Sequence, residues 1–415
     1  MELLGERIKR LRKERKMTLA DVAGDRLTKG MLSLIENGKA QPSMESLQHI
    51  AAQLHVDLAE LVQSETTVDF TEMLLQVQSY YQEVMDAYGQ SLTDVYTKII
   101  EYIKPYVGNE LLKGQTYEEV RIYENYLLAI YYRDQTLDVA EIKRLVTLYE
   151  EAKAYRKILN PFSILAMVSV GERNYEQALQ YLLEGEAYLN KYMLHIDNLE
   201  KLDYYYNLTV VNAALNNDVQ TAYYVEEAFK LSKKHKIYYR LTDFYRFLFF
   251  AHLQSGEFDK CWEYLRKSEA FMVIMEDKLE AGMVFILKML ATNIIEKDYE
   301  KTLSLTFDFG DIQEEAKKQA NVFLNIEYGY AHYELGHFEK VAEYLAHIYV
   351  PPMNNHPLDL AFIYRGFALR ALALYEMGKV EDAKRDILYA MDGVKDFHLT
   401  IFKQYILNAH EKIMN

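Results

Sequence analysis

The sequence predicts an all-α protein built from many short helices. Only six prolines and seventeen glycines interrupt its 415 residues, and these two residue types are the strongest helix breakers. Apolar residues recur with the 3.6-residue period of an amphipathic helix along most of the chain. A turn signature also returns at intervals of about 40 residues. These three observations favour layers of helices packed on helices.

Composition narrows the class of protein. Half of the residues are hydrophobic and 26% are charged, which is typical of a globular chain long enough for two or more domains. The single cysteine, Cys261, excludes a disulfide within the chain and suits a reducing cytosol. The N-terminus has no apolar signal core, and no uncharged apolar run approaches eighteen residues. We therefore expect a cytoplasmic protein without a membrane partner.

Charge is distributed unevenly along the chain. The net charge is −15, yet residues 1–63 contain ten Lys and Arg against nine Asp and Glu. Within the first sixteen residues, seven are basic and three are acidic. A basic helix on an acidic body suits a small nucleic-acid footprint, because the body repels phosphate elsewhere.

Five short helices are predicted within the first 62 residues. The first covers residues 5–16 and the second covers 18–23. The third opens at Thr28 and stops at Gly38, and two more open at residues 42–43 and 57–58. The turn at 24–25 joins the second helix to the third, which is the arrangement that places a helix in the DNA major groove. The predicted partner is therefore duplex DNA.

The third predicted helix has a core face and a DNA face. Thr28 is expected to cap its N-terminus, and Met31, Leu32 and Ile35 fall at core spacing. The other face carries the candidates for base and phosphate contacts, namely Lys29, Ser33 and Asn37.

Three neighbouring residues complete the predicted DNA-binding unit. Thr18 is expected to cap the second helix and bind a phosphate, and Lys39 to meet the DNA backbone. Glu36 would repel phosphate, so we expect it to pair with a basic residue of the first helix, with Arg10 as the candidate.

Residues 5–62 resemble the lambda-repressor-like helix-turn-helix family. This resemblance implies that the third helix reads DNA. One departure is Leu19, which stands where the family often has a glutamine that contacts a base. The boundaries that we expect are a DNA-binding domain at 1–63, a polar linker at 64–68, and a helical-repeat domain at 69–415.

The pattern between residues 69 and 106 is helical and is interrupted at 104–105 and 108–109. Apolar residues recur there at helix spacing, at Leu74, Val77, Tyr81, Val84, Met85 and Tyr88. Residues 115–155 are expected to form one or two further helix pairs.

An internal repeat follows, with turns at residues 173, 217, 256, 297, 336 and 378. An aromatic or branched residue follows each turn by two places, and a small residue usually follows by five. The spacings are 44, 39, 41, 39 and 42 residues. The pattern resembles the tetratricopeptide helix-turn-helix repeat with longer helices. Such repeats stack into a superhelix with a concave inner surface.

A helix-turn-helix domain joined to such an array resembles the peptide-pheromone regulators of Gram-positive bacteria, the Rap, Rgg, NprR, PlcR and PrgX group. Residues 24–43 and the length of the chain are most similar to the NprR-like members. The resemblance implies a quorum-sensing transcriptional regulator, whose repeats bind a short re-imported signalling peptide. Peptide binding would change the oligomeric state, from a dimer towards a tetramer, and activate genes such as those of secreted proteases.

Candidate peptide-binding residues follow from the repeat register. Positions ten and thirteen before each turn are expected to point inwards, where Asn can bind a peptide backbone and Arg can bind a carboxylate. These positions supply Asn207, Arg246, Tyr204, Asp243 and Arg365. Asn325, one place from this row, and Arg121, on an earlier helix, complete the set.

No enzyme signature accompanies these features, and we expect no catalytic residue, cofactor or metal site. The eleven histidines lack the HExxH spacing, and phosphate-loop and GxSxG motifs are absent. Cys261 occupies a small-residue position of the repeat, which favours packing. The resemblance to Rap proteins implies an alternative function, in which the peptide-free protein binds and inhibits a response regulator of the sporulation phosphorelay. A Rap-like phosphatase action would require a glutamine near the partner's phosphoaspartate, for which Gln76, Gln78 and Gln82 are the candidates.

Overall fold

The computed structural model describes residues 4–40, 42–58, 61, 69–86, 92–107, 112–352 and 354–415. Within these ranges the chain is almost entirely helical and contains no strand. The predicted linker at 64–68 and most of the predicted fifth helix lie outside the described residues, as does Tyr88; the side chains of Val84 and Met85 are likewise not described.

The N-terminal unit contains four described helices: α1 (Leu4–Glu14), α2 (Leu19–Ala23), α3 (Lys29–Glu36) and α4 (Met44–Leu54). They share one apolar core, in which Ile8, Leu32, Ile50 and Leu54 are fully buried. Gly5 allows α1 to approach α3 closely, because a Cβ at this position would lie 2.2 Å from the Ile35 carbonyl oxygen. This core holds α3 with its opposite face in solvent.

The next helices are α5 (Phe70–Asp86) and α6 (Leu92–Ile103), where one continuous pattern was expected. They pack on α7 (Tyr117–Asp134), and α8 (Val139–Glu151) pairs with α7 as predicted for residues 115–155. Leu74 and Val77 are buried, and Tyr81 is half-buried.

Six further helix pairs follow, and each contains one of the predicted turns. The first three are α9 (Asn160–Gly171) with α10 (Tyr175–Lys191), α11 (Asn198–Ala214) with α12 (Asp218–His235), and α13 (Leu241–Ser255) with α14 (Phe258–Met275). The last three are α15 (Lys278–Ala291) with α16 (Tyr299–Ser304), α17 (Glu314–Glu334) with α18 (Phe338–Tyr344), and α19 (Pro357–Glu376) with α20 (Val380–Val394). A final helix, α21 (Ile401–Met414), packs on α19 and α20.

The turns share one backbone feature. Gly256, Gly336 and Gly378 adopt positive φ, and Arg173, Asn216 and Lys297 do the same at the other three turns. The left-handed residue thus matches the predicted turn position at five sites, whereas the predicted turn at 217 is one residue late. In the corrected register the small, fully buried Thr209 lies seven residues before this turn.

The second helices of two pairs are short. α16 spans six residues and α18 spans seven, against eighteen in α12 and α14. Irregular segments at 305–313, 345–352 and 354–356 continue the chain after these short helices. Residues 355–356 reach back and contact α10, α11 and α13.

Candidate functional sites: the exposed face of α3 and the inner surface of the repeats

The predicted caps on either side of the turn are present. The Thr28 hydroxyl accepts from the Met31 N–H at 3.1 Å and opens α3. Thr18 and Asp21 form a capping box on α2, with the Thr18 N–H 2.6 Å from the Asp21 carboxylate. This backbone hydrogen bond lowers the pKa of Asp21. Both threonines are exposed, so the two caps lie on the solvent-facing surface of the domain.

The predicted DNA face of α3 is largely open to solvent. Lys29, Asn37 and Lys39 are exposed, and Ser33 is half-buried. Asn37 is already engaged within the domain, because its amide donates to the Ser33 carbonyl at 2.7 Å and its oxygen accepts from Lys9 Nζ at 3.2 Å. We therefore regard Asn37 as a residue that also shapes the end of α3, with Lys9 as its partner.

Two apolar residues extend this face. Met31 was expected in the core but is 43% exposed, because the core-facing row of α3 is Leu32, Ile35 and Glu36. Leu34, which sequence reasoning did not assign, is 44% exposed. Exposed apolar groups on a recognition helix can contact thymine methyls. The sequence signal for this exposed apolar pair, which the sequence analysis did not use, is the i, i+3 spacing of Met31 and Leu34 between polar residues.

Glu36 pairs with a basic residue of α1, but the partner is Arg12, so the expected pairing with Arg10 is wrong. Arg12 donates from Nε and Nη2 to the two carboxylate oxygens of Glu36 at 2.6 and 2.8 Å. Arg10 instead bonds Glu14 one turn along α1. The reason is the packing of α1: the Arg12 side chain is 13% exposed and lies against the buried Glu36, whereas the Arg10 side chain is 37% exposed and lies beside Glu14.

A charged cluster lies on α11 and α13, at positions that the repeat register predicts for the groove. Arg240 donates to Asp203 at 2.9 Å and to Asp243 at 3.2 Å, and its guanidinium lies 4.4 Å from the centre of the Tyr206 ring. Arg246 also pairs with Asp243, and its Nη1 is 3.9 Å from Glu280. Two predicted groove residues, Asp243 and Arg246, are thus brought together.

Asn207 was assigned from the turn at 217, which is one residue late, so it lies one residue after the corrected inward position, Tyr206. The Asn207 side chain is 8% exposed and has no hydrogen bond with any of the described residues. An amide in this state has both its donor and its acceptor available for a ligand backbone. The corrected register adds two groove residues that the sequence analysis missed: Asp203 and Tyr206 occupy the positions equivalent to Asp243 and Arg246.

Tyr204 and Arg365 do not face the groove. Tyr204 is fully buried and donates to the Leu182 carbonyl, because the late turn assignment shifted its register by one residue. Arg365 is 1% exposed and pairs with buried Glu327, which also accepts from the Asn293 amide at 2.8 Å. The Phe362 and Phe402 rings flank its guanidinium. These contacts give Arg365 a packing role.

The remaining two candidates lie apart from the cluster. Arg121 pairs with buried Glu124, which also accepts from Tyr149 at 2.6 Å. Asn325 lines a separate cleft of about 660 Å³ between α17 and residues 343–349. The structure does not bring either residue together with Arg246.

Cys261 is fully buried, and its thiol donates to the Phe249 carbonyl at 3.5 Å, which agrees with the predicted packing role. Burial raises the pKa of this thiol to about 11. The described ranges contain no cluster of His, Cys, Asp and Glu able to hold a metal ion. They also contain no helix with the length and apolar character that crossing a membrane requires.

Comparison with known proteins identifies the N-terminal unit. Residues 8–61 match the family model HTH_3, described as helix-turn-helix. This unit is a helix-turn-helix domain. The helix-turn-helix assignment covers α1 to α4, and it makes α3 the second helix of the motif that gives the family its name. No curated protein matches the chain.

Solved structures similar to the chain include three bacterial regulators. Bacillus thuringiensis PlcR, in complex with the peptide PapR7 and DNA, is 18% identical over 71% of this chain and 100% of its own, with a TM-score of 0.37. ComR of S. thermophilus, in complex with DNA and its signalling peptide ComS, is 17% identical over 70% and 99%, with a TM-score of 0.35. The Streptococcus dysgalactiae SHP pheromone receptor Rgg2 is 17% identical over 71% and 100%, with a TM-score of 0.32.

Proposed function

We propose that this protein is a peptide-gated transcriptional regulator. The helix-turn-helix domain binds duplex DNA through α3, and the inner surface of the repeats binds a short signalling peptide that is taken up from outside the cell. The observation that carries the proposal is the solvent-facing surface of α3, formed by the exposed Lys29, Met31 and Leu34 with the half-buried Ser33, inside a domain matched to the helix-turn-helix family. Such a helix has the size and polarity that the major groove accepts.

Gating is the second part of the proposal. Asn207 supplies an amide that has no hydrogen bond to any residue that the structure describes, and Arg246 supplies a guanidinium on the helix that follows α12. A peptide can alter DNA binding only as far as it prefers one state, and a hundredfold shift needs about 3 kcal/mol of preference. Activation of particular genes, such as those of secreted proteases, is the expectation that follows from the resemblance to pheromone regulators.

DNA selection followed by mobility shift tests the first part. Lys29→Ala is expected to reduce affinity for the selected duplex at least tenfold and to lower the salt dependence of binding by about one counterion. Lys233→Ala, which removes an exposed lysine from α12, is the matched control and is expected to bind as the wild type does. Equal binding by both variants would show that α3 does not read DNA.

Calorimetry with peptides recovered from a short-peptide library tests the second part. Asn207→Ala and Arg246→Gln are each expected to weaken binding by about 1–3 kcal/mol, because each leaves a buried peptide group without its partner. A peptide that binds both variants with wild-type affinity would place its site elsewhere.

We propose a homo-oligomer as the acting form, a dimer that peptide converts to a tetramer. A single helix-turn-helix domain contacts few base pairs, so a second copy is needed for a specific site. Sedimentation of the chain with and without peptide measures this. A monomer at every concentration that supports DNA binding would contradict it.

A second candidate function is the binding of a phosphorelay response regulator by the repeats. Gln76 and Gln78 are exposed on α5, next to Leu75, which is 61% exposed. An exposed apolar residue flanked by amides suits a protein interface. Loss of co-purification after Leu75→Asp, with DNA binding unchanged, would support this role, and absence of any complex with the wild type would exclude it.

A further inference from the structure

The segment 354–359 consists of the three residues before α19 and the first turn of that helix, and it contacts α10, α11 and α13. The Tyr175 hydroxyl donates to the Asn355 carbonyl at 2.5 Å. One residue further on, His356 Nε2 lies 3.2 Å from the Val210 carbonyl oxygen on α11. These contacts join positions that are 180 and 146 residues apart in the chain. The segment therefore lies on the surface to which the peptide is assigned.

The His356 ring is held by both of its nitrogens. Its Nδ1 accepts from the Leu358 N–H at 3.2 Å, so Nε2 carries the hydrogen that is donated to Val210. The ring also packs edge-on against Phe247 of α13, with centroids 6.2 Å apart. His356 thus connects α11, α13 and the start of α19.

Asp359, at the start of α19, adds its charge to the cluster on α11 and α13. Burial lowers the pKa of Arg246, but the charges of Asp243, Tyr206, Glu280 and Asp359 together raise it. The pKa of Tyr206 is raised by burial and by Asp243, and Asp359 contributes in the same direction. Asp359 thus contributes a negative charge that favours the charged form of Arg246, whose side-chain ion pairs are with Asp243 and Glu280.

We propose that residues 354–359 are an internal competitor, which occupies the groove until a peptide with a carboxylate and an apolar side chain displaces it. The inference rests on the proposed peptide-binding function and specifies the ligand's chemistry and its regulation. When the contacts of Asn355 and His356 are displaced, Arg246 keeps its ion pairs with Asp243 and Glu280, and the incoming carboxylate adds a negative charge on the same surface. The apolar side chain takes the place of the imidazole against Phe247.

Competition reduces the apparent affinity of the peptide. For a ligand that binds only the open state, the apparent dissociation constant equals the intrinsic dissociation constant divided by the fraction of protein in the open state. The tethered segment acts at an effective concentration on the order of millimolar. Weakening its attachment therefore raises apparent affinity without adding any contact to the ligand.

A synthetic copy of the segment serves as the probe. The hexapeptide Asn-Asn-His-Pro-Leu-Asp, labelled at its N-terminus and with a free carboxylate, is titrated with the full-length protein. Tyr175→Phe removes the hydroxyl that holds Asn355 and leaves the cluster intact. It is expected to bind the probe about fivefold more tightly than the wild type, as the loss of one hydrogen bond predicts. Tyr328→Phe removes a comparable bond, to the Leu305 carbonyl at 2.7 Å, and is expected to bind as the wild type does.

Further arms separate the possible outcomes. Arg246→Gln in the Tyr175→Phe background is expected to abolish the gain, and hydrogen exchange of residues 354–359 is expected to accelerate in Tyr175→Phe alone. Equal probe affinity in the wild type, Tyr175→Phe and Tyr328→Phe, or no binding to any of them, overturns the proposal. If library peptides bind and depend on Asn207 while Tyr175→Phe has no effect on them, the competitor is wrong and the peptide-binding function stands.

Discussion

Arg12 and Glu36 join the first helix of the DNA-binding domain to the third through two hydrogen bonds of 2.6 and 2.8 Å. The Arg12 side chain is 13% exposed and that of Glu36 is 3% exposed. The same guanidinium donates to the Met17 carbonyl at 3.0 Å, in the turn before α2. One side chain therefore ties together three parts of the domain that presents α3.

Removal of the carboxylate should loosen α3. We expect Glu36→Ala to destabilise the domain by about 3 kcal/mol, because it leaves a largely buried guanidinium unpaired. Hydrogen exchange of the α3 amides in the full chain measures this. Glu14→Ala breaks the exposed pair with Arg10 and is expected to change stability by less than about 0.5 kcal/mol. Similar exchange in the two variants would show that the Arg12–Glu36 pair does not hold α3.

The exposed Leu34 should contribute to DNA binding and not to folding. Leu34→Ala is expected to weaken binding by about 1 kcal/mol at a selected site that places a thymine methyl against it. Replacing that thymine by uracil should remove the difference between the two proteins. Leu388→Ala, which truncates a 50% exposed leucine on α20, serves as the control. Binding by Leu34→Ala that is as tight as that of the wild type would place the base contacts elsewhere.

Cys261 should be unreactive in the native protein. With the thiol pKa raised to about 11, its thiolate is about a hundredfold scarcer at pH 8 than for a model thiol with a pKa of 9.0. Burial further blocks the reagent. We expect a thiol reagent at pH 8 to modify Cys261 only as fast as α13 and α14 unfold. Rapid labelling of the folded chain would contradict this packing.

Acid should release the segment that His356 holds. In the docked state, burial lowers the pKa of His356. The charge of Asp359 and the hydrogen bond to the Val210 carbonyl raise this pKa but do not outweigh burial. The released segment therefore binds a proton more tightly, and release is favoured as the pH falls below the ordinary histidine pKa of about 6.5. A proton on Nδ1 would also face the Leu358 N–H, so the cap of α19 is lost.

Hydrogen exchange of residues 354–359, corrected for the intrinsic pH dependence, measures this release at pH 7.5 and 5.5. His356→Gln keeps a donor but does not titrate, so its docking is expected to be the same at both values. Arg246 stands near the Asp359 carboxylate and stays charged throughout this range. Unchanged protection of the wild type between the two values would rule out the imidazole as the titrating group.

The repeat architecture could be predicted because turns have a local chemical signature. Gly256, Gly336 and Gly378 occupy left-handed positions that other residues adopt at a cost, so each fixes its register. Asn216 and Asn217 are adjacent and both tolerate this conformation, and the sequence offers no means to choose between them. That single ambiguity moved Tyr204 from the core to the predicted groove.

Contacts between distant segments could not be predicted. Nothing local marks Glu327 as the partner of Arg365, or Val210 as the acceptor for His356. The short length of α16 and α18 depends on the path that the chain takes in three dimensions, whereas the sequence pattern indicated only a regular repeat period. The α3 cap at Thr28 was predictable because it depends only on residues that are close together in the sequence. The choice of Arg12 over Arg10 depended instead on the packing of α1.

The contact between Tyr175 and Asn355 has a consequence for how the protein folds. An open array of helix pairs behaves as a chain of nearest neighbours, in which each unit can form or melt beside its neighbours alone. A bond across 180 residues links distant units and raises the contact order of the whole assembly. The middle and the end of the array should then melt together. The folding step that brings Tyr175 and Asn355 into contact is expected to be slow, since the intervening helix pairs must form first.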